Sequence, residues 1–247
     1  MIKPSFKMKK NNVPILSKKE LNKFGEDLVK DFYGQSMNAP IEIDIDRFAE
    51  RYLGLKQDYQ LLSHCVCYLG VMIFNDTDKV PVYNNILNCA EYISAEAGTM
   101  IIDNSLLAYN QEHRYRFTVG HEASHSILHK VYYSNKDYIM QGCPNVGHSG
   151  SKPVNLWSDT DTMEWQANYL SAAILMPECA VKMAVNNIPS ENYAEMIKRI
   201  SEIFNVSGEA AQNRLKNLDI IPKEVIKLRY GGYLDLSQFR TGRLVMN

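Results

Sequence analysis

The sequence has little that would direct it to a membrane, an export route or nucleic acid. Its basic start, Met1 to Asn12 with Lys3, Lys7, Lys9 and Lys10, is followed by no long apolar run. It therefore reads as neither a signal peptide nor a membrane anchor, and a flexible basic tail is expected. Charge of one sign is also missing. The 27 basic and 28 acidic residues give a net charge of −1, too little for a global field that would draw the chain to nucleic acid or anionic lipid. Cysteine is sparse, five in 247 residues, and reduced thiols in a cytoplasmic protein are expected. Cys65 and Cys67 stand one residue short of zinc-finger spacing, and their alternating Cys-Val-Cys-Tyr context predicts a strand, with no second metal site. What remains is ordinary globular composition, 45% hydrophobic and 22% charged, in a chain long enough to bury a real core.

Against that plain background stands His121-Glu122-Ala123-Ser124-His125. Histidines four apart on a helix share a face, about 40° apart around the axis and about 6 Å apart along it. Two imidazoles so placed can converge on one zinc ion, with the intervening glutamate free to act as a base. The context is helical: Phe117, Val119, Ile127 and Leu128 supply apolar positions, and only Gly120 interrupts Phe117 to Val131. Short motifs of this type also occur in unrelated helices, so five residues alone leave the site open.

A zinc hydrolase needs a third protein ligand and a fourth position left for water. His129 extends the series, but it lies about 12 Å along the helix from His121, and no glycine in Ser126-Ile127-Leu128 turns the chain back. It is expected to support a ligand or to pack in the core. A second helix, running from Met163 and ended by Pro177, carries Glu164 and Asn168 on one face. Ala167, Ser171 and Ala172 are small enough to admit another helix closely. Glu164 suits either a metal or an ordinary solvated place near a helix N-terminus, and the pattern does not choose between them.

Arg114 through His129 resembles the zinc-helix block of the ImmA/IrrE metallo-endopeptidase family, in which an Arg-Phe-Thr lead-in precedes His-Glu-Leu-Gly-His and a further histidine. Glu164 through Pro177 is similar to that family's Glu-x-x-Ala-Asn…Ala-Ala…Leu-Met-Pro block. The resemblance covers roughly residues 40 to 220 and departs at Ala123-Ser124, where Leu-Gly is usual. It implies that His121, His125 and Glu164 hold one Zn²⁺ per chain and that Glu122 is catalytic. It further implies an endopeptidase whose protein substrate is a helix-turn-helix repressor, cleaved once in a stress or mobile-element response. The competing expectation is a non-catalytic regulator that binds a repressor or DNA and keeps a residual or structural zinc site.

Supporting roles, toward a ligand or the substrate, are expected for Arg116, His129 and Asn168. Arg116 is roughly opposite the metal face and is expected to anchor the helix or orient a carboxylate. The oxyanion donor is open among Tyr169, Tyr193, His148 and Arg116. Tyr132 to Thr162, with Gly142, Pro144, Gly147, Gly150 and Pro153, reads as an extended loop.

Elsewhere the pattern predicts a helix capped by Ser17 and closed by Gly34, an extended Ile41–Ile45, and a short helix from Asp46 closed by Gly54. A β-rich stretch follows from Leu55 to Ile102, with a Glu96-Ala97-Gly98-Thr99 hairpin turn. Helices are expected at about Ser190–Phe204 and Gly208–Leu218, resembling a helix-turn-helix. Glu202, Glu209 and Asp219 among Arg214 and Lys216 leave no basic stripe, so direct DNA binding is not expected. An extended Gly-punctuated tail is expected from Tyr230. The expected class is α+β: a small antiparallel or mixed sheet on a zincin-like helical core, with a helix-turn-helix-like end. The expected divisions are 1–39 (tail and helix), 40–185 (zinc peptidase domain) and 186–247 (helical segment and tail).

Overall fold

A reciprocal cap opens the first helix, α1 (Lys18–Tyr33). In a computed structural model, which describes residues 2, 5–34, 39–135, 140–144 (backbone), 156–228 and 232–237, the Glu20 amide donates to Ser17 Oγ and the Ser17 amide to Glu20 Oε2. Such a cap stabilises a helix by about 1 kcal/mol. Gly34 closes it in the left-handed conformation, at φ 67°. The residues before it are not the free tail expected. Phe6 packs edge-on against Phe24 at 4.9 Å, Val13 is fully buried, and Met8 bridges to Pro14. A few apolar side chains spaced among the lysines suffice to seat this segment while the charges stay outside.

The next helix begins earlier than expected. Asp44, not Asp46, caps α2 (Ile45–Arg47) by accepting from the Arg47 amide, and α2 runs into a π-helical turn at Phe48–Tyr52. Ile41–Asp44 joins no strand. Then come β1 (Lys56–Gln60), β2 (Tyr68–Ile73), β3 (Thr77–Asn84), β4 (Cys89–Ala95) and β5 (Thr99–Asp103). Cys65 and Cys67 lie in the turn before β2, not on it, because Val66 takes φ 54° and the Cys67 amide donates to Ser63 Oγ. The Glu96–Thr99 turn does not make a hairpin either. β4 pairs with β3, whereas β5 pairs parallel with β1 and antiparallel with β2. Gly98, at φ 88°, donates its amide to the Ile73 carbonyl and steers the chain between the two sheets.

Helices α3 (Glu112–Leu128) and α4 (Lys130–Ser134) follow, then β6 (Met140–Pro144), which completes the sheet order β1-β5-β2-β6. The expected long loop therefore contains an end of helix and an antiparallel strand; Gly147, His148, Gly150 and Pro153 lie outside the described residues. Strands β2 and β5 read as unbroken apolar runs because both faces are covered. Met72, Met100 and Ile102 join the helical core, while Val71, Ile73 and Ile101 meet Val80 and Val82 of the β3–β4 hairpin.

Helix α5 (Asp159–Leu175) starts a turn before the expected Met163, since Ser158 and Asp161 form a second reciprocal cap. It crosses α3 and α1 on small residues. A Cβ on Gly120 would stand 2.5 Å from Ser171 Oγ, and one on Gly25 would stand 2.7 Å from the Ala173 Cβ. An unforeseen α6 (Glu178–Val185) precedes α7 (Tyr193–Phe204) and α8 (Gly208–Asn217), the last capped by Ser207. β7 (Val225–Lys227) pairs with β8 (Tyr233–Asp235), so the expected extended tail contains a paired strand; residues 238–247 lie outside the described set. The architecture is α+β as expected. Among the described residues no helix is long and apolar enough to cross a membrane.

Candidate metal centre

Gly120 gives α3 its closest approach to α5, and one residue later the polar cluster begins. His121, His125 and Glu164 are buried together, the first two on α3 and the third across from them on α5. His121 Nε2 and His125 Nε2 are 3.0 Å apart; Glu164 Oε2 lies 3.3 Å from the former and Oε1 3.4 Å from the latter. Tetrahedral zinc with bonds of roughly 2.0–2.1 Å requires donors about 3.3–3.4 Å apart. The donor set and its spacing therefore fit a zinc-sized cation in a zincin-like arrangement. Glu164 belongs to this cluster and is not a solvated residue at a helix start.

Hydrogen bonds on the far side of each ring leave both Nε2 atoms facing the cluster. His121 Nδ1 is 3.0 Å from Asn168 Oδ1, one turn along α5 from Glu164. An amide oxygen only accepts, so that nitrogen carries the proton. His125 Nδ1 is 3.0 Å from His129 Nδ1, and His129 Nε2 is 3.0 Å from Gln166 Oε1. His129 thus stands behind His125, buried, and outside the metal-sized triangle. Burial holds His129 well below its ordinary pKa, and the neighbouring His125 pushes it further down. Burial also lowers His125. It would raise Glu164, but the contacts with His121 and His125 outweigh burial and hold that carboxyl below the usual carboxylate range.

Glu122 is the exception to this pairing. It is fully buried, and neither carboxylate oxygen has a hydrogen-bond partner among the described residues. Burial pushes its pKa up to about 8, with His121 opposing and Glu164 adding to the rise. A buried carboxylate without a partner costs free energy, and packing alone does not account for it. It lies against Gly70 of β2, where an added Cβ would stand 2.8 Å from Glu122 Oε1.

Arg116 is elsewhere. Its Nη2 donates to the Ile43 carbonyl at 2.9 Å, its Nε to the Asn205 carbonyl at 3.1 Å, and its Nη1 pairs with Glu42 at 2.7 Å. It anchors α3 to the end of α7. Two other oxyanion candidates also point away. Tyr169 lies under the Arg214 guanidinium, 5.9 Å from its ring centre, and Tyr193 faces Asp235. His148 is outside the described residues. Arg214, the base a DNA reading would use, is itself buried, donating to the Met176 carbonyl and to Asn22 Oδ1.

Two neighbours of the cluster went unread in the sequence. Gly70 had a signal, a lone glycine in an apolar strand, which marks a close backbone approach. Gln166 had none, since a polar residue on a helix is ordinarily solvated.

Residues 105–216 match the family model of the IrrE N-terminal-like domain, Peptidase_M78. That stretch, rather less than half of the chain, supports the resemblance to the ImmA/IrrE metallopeptidase family. The match spans α3, α5 and the helical pair α7–α8. Among solved structures, a chain described as a Mycobacterium tuberculosis transcriptional regulator is similar at 12% identity and a TM-score of 0.46. The alignment covers 90% of this chain and 55% of that one, so this chain spans about half of that protein's length. At that score the likeness bears on neither activity nor partner. No curated protein sequence matches significantly.

Proposed function

We propose that this protein is a zinc-dependent endopeptidase. The observation that carries the reading is the fully buried Glu122 carboxylate, without a hydrogen-bond partner among the described residues and placed between two histidines that converge with Glu164. His121, His125 and Glu164 would hold the ion, which when bound supplies Lewis acidity toward a peptide carbonyl and acidifies water. Glu122 takes the proton from the attacking water and delivers it to the leaving amine nitrogen. Burial suits it to both steps, because a carboxylate raised toward neutral pH is a better proton acceptor than a solvated one. A cation in the triangle would draw that value down again, which keeps Glu122 ionised and ready to accept. Asn168 and His129 hold the two imidazoles in the protonation state that leaves Nε2 bare.

The substrate we propose, on the strength of the family resemblance, is a helix-turn-helix transcriptional repressor cut once in a stress or mobile-element response. A regulator acting through DNA is disfavoured by Arg214, whose side chain is committed to the interior. The test compares protein N-termini by mass spectrometry in cells expressing the wild type or Glu122→Gln, with and without DNA damage. New N-termini confined to the wild type are expected, and they would name the substrate and bond together. Identical sets in both strains, from protein shown to be folded and metal-loaded, would overturn the reading.

A further inference from the structure

The buried histidines are tied by a series of hydrogen bonds to the Pro14 carbonyl, and through the backbone of the same segment to contacts at the surface. Residues 5–16 pass along α1 and reach the start of α5, where Lys9 Nζ and Asn11 Nδ2 donate to Asp159 at 2.7 and 2.5 Å. Deeper in, the Pro14 carbonyl accepts from Gln166 Nε2 at 2.8 Å. Gln166 Oε1 meets His129 Nε2, and His129 Nδ1 meets His125 Nδ1, both at 3.0 Å. Gln166 is 1% exposed and the two histidines 0%, so water does not compete along this line.

The direction of every bond follows from its outer end. A main-chain carbonyl can only accept, so the Gln166 amide nitrogen must face Pro14 and its oxygen must face His129. His129 Nε2 must then donate, which leaves its Nδ1 as an acceptor. His125 Nδ1 must donate in turn, and its Nε2 is left as a bare lone pair toward His121 and Glu164. Reversing the Gln166 amide would set oxygen against oxygen at Pro14 and an N–H against His129 Nε2. His129 would then carry its proton on Nδ1, and His125 would lose the acceptor that keeps Nε2 bare.

We propose that Gln166 and His129 are positioning residues for the metal, and that the strap formed by residues 5–16 sets them. Seated, the strap orients Gln166 and keeps His125 ready to bind; displaced, it frees the amide to reverse, and metal affinity falls. This rests on the metal-centre reading above. The contacts that seat the strap's outer part are open to solvent, Lys9 and Asp159 being 43% and 33% exposed, whereas those it governs are sealed. A modest event at the surface is thereby linked to the buried site.

The test is Co²⁺ binding to the metal-free full chain, read as apparent affinity against a competing chelator and as the visible d–d spectrum. Gln166→Met removes both bonds and is expected to weaken binding about tenfold to a hundredfold and to alter the spectrum. The exposed double variant Lys9→Glu with Asn11→Asp sets like charges against Asp159 and is expected to weaken binding by about threefold or more. Added to Gln166→Met, the same double variant should have no further effect, because the amide that the strap orients is gone. Wild-type affinity and spectrum in Gln166→Met would overturn the proposal. So would a strap effect of equal size with glutamine or methionine at 166, or wild-type affinity in the strap double variant, which remains decisive if Gln166→Met does not fold. A wild type that takes up no Co²⁺ would overturn the metal centre itself, and this inference with it.

Discussion

Gly70 and Glu122 are in direct contact across the interface between β2 and α3. A Cβ on Gly70 would lie 2.8 Å from Glu122 Oε1 and 2.9 Å from its Cγ, with the Thr118 methyl also 2.8 Å away. Strand β2 thus sets where the Glu122 carboxylate stands, and it does so by having no side chain at that point. The alternation of the strand turns residue 70 toward α3, so any larger residue there pushes on the proposed base.

Gly70→Ala is therefore expected to cut peptide hydrolysis at least about tenfold, since displacement of a proton-transferring group by even 1 Å is costly. Overpacking at this contact should also cost about 1–3 kcal/mol of stability. Metal content should not change, because the atoms nearest the added methyl belong to Glu122 and Thr118 and not to His121, His125 or Glu164. Metal analysis beside kinetics and denaturant melts separates these effects. Loss of metal together with activity would show that Gly70 supports the whole centre rather than Glu122.

Glu122→Gln should keep metal and lose hydrolysis, and in metal-free protein it should also change the pH profile of stability. The folded value near 8 lies above the ordinary 4.5, so the folded state holds this proton longer than the unfolded state. Its contribution is complete below about 4.5 and is lost as pH rises through 8, by an amount on the order of a few kcal/mol. The variant, which has no such titration, should gain stability relative to wild type between pH 5 and 8. Thermal melts of both chains after metal removal, across that range, measure the difference. A constant gap would show that Glu122 is solvated or paired when the metal is gone.

Much of this site is legible in the chain because helical periodicity carries it. The i, i+4 spacing of His121 and His125 predicts their convergence, and Glu164 with Asn168 repeats the spacing on α5, one residue joining the cluster and the other holding His121. Caps are equally local, so Ser17 and Gly34 mark helix ends at the expected residues. What sequence pattern does not carry is pairing at a distance. β5 lies beside β1 and β2 rather than β4, because burial on both faces outweighs the short turn at Gly98. Gln166 and Pro14 meet only because the strap is seated against α5, and nothing near either residue announces it.

His121→Ala and Glu164→Ala are each expected to lower zinc affinity by orders of magnitude, since a three-ligand site reduced to two loses most of its hold. Equilibrium dialysis followed by elemental analysis checks this. Asn168→Ala should cost less, about tenfold, because it frees the orientation of His121 without removing a donor. Full occupancy in both ligand variants would sink the assignment of the centre.

Arg116→Leu tests whether this buried guanidinium serves the chemistry or the frame. It binds the carbonyls of Ile43 and Asn205 and pairs with Glu42, all away from the cluster. Removing it leaves buried carbonyls without a donor, and the α7 C-terminus loses a favourable positive charge. We expect a stability loss of about 2–4 kcal/mol, seen in denaturant melts, with zinc affinity and the pH dependence of hydrolysis unchanged in the folded fraction. Asn205 sharpens the test, because its amide also reaches Glu42 and Glu112 at 3.1 and 2.6 Å. Asn205→Gly keeps the left-handed backbone (φ 50° in the native chain) and removes only that side chain, so it should lose stability to a smaller extent. A variant of Arg116 that melts like the wild type but hydrolyses poorly would place this residue in the reaction and not in the frame.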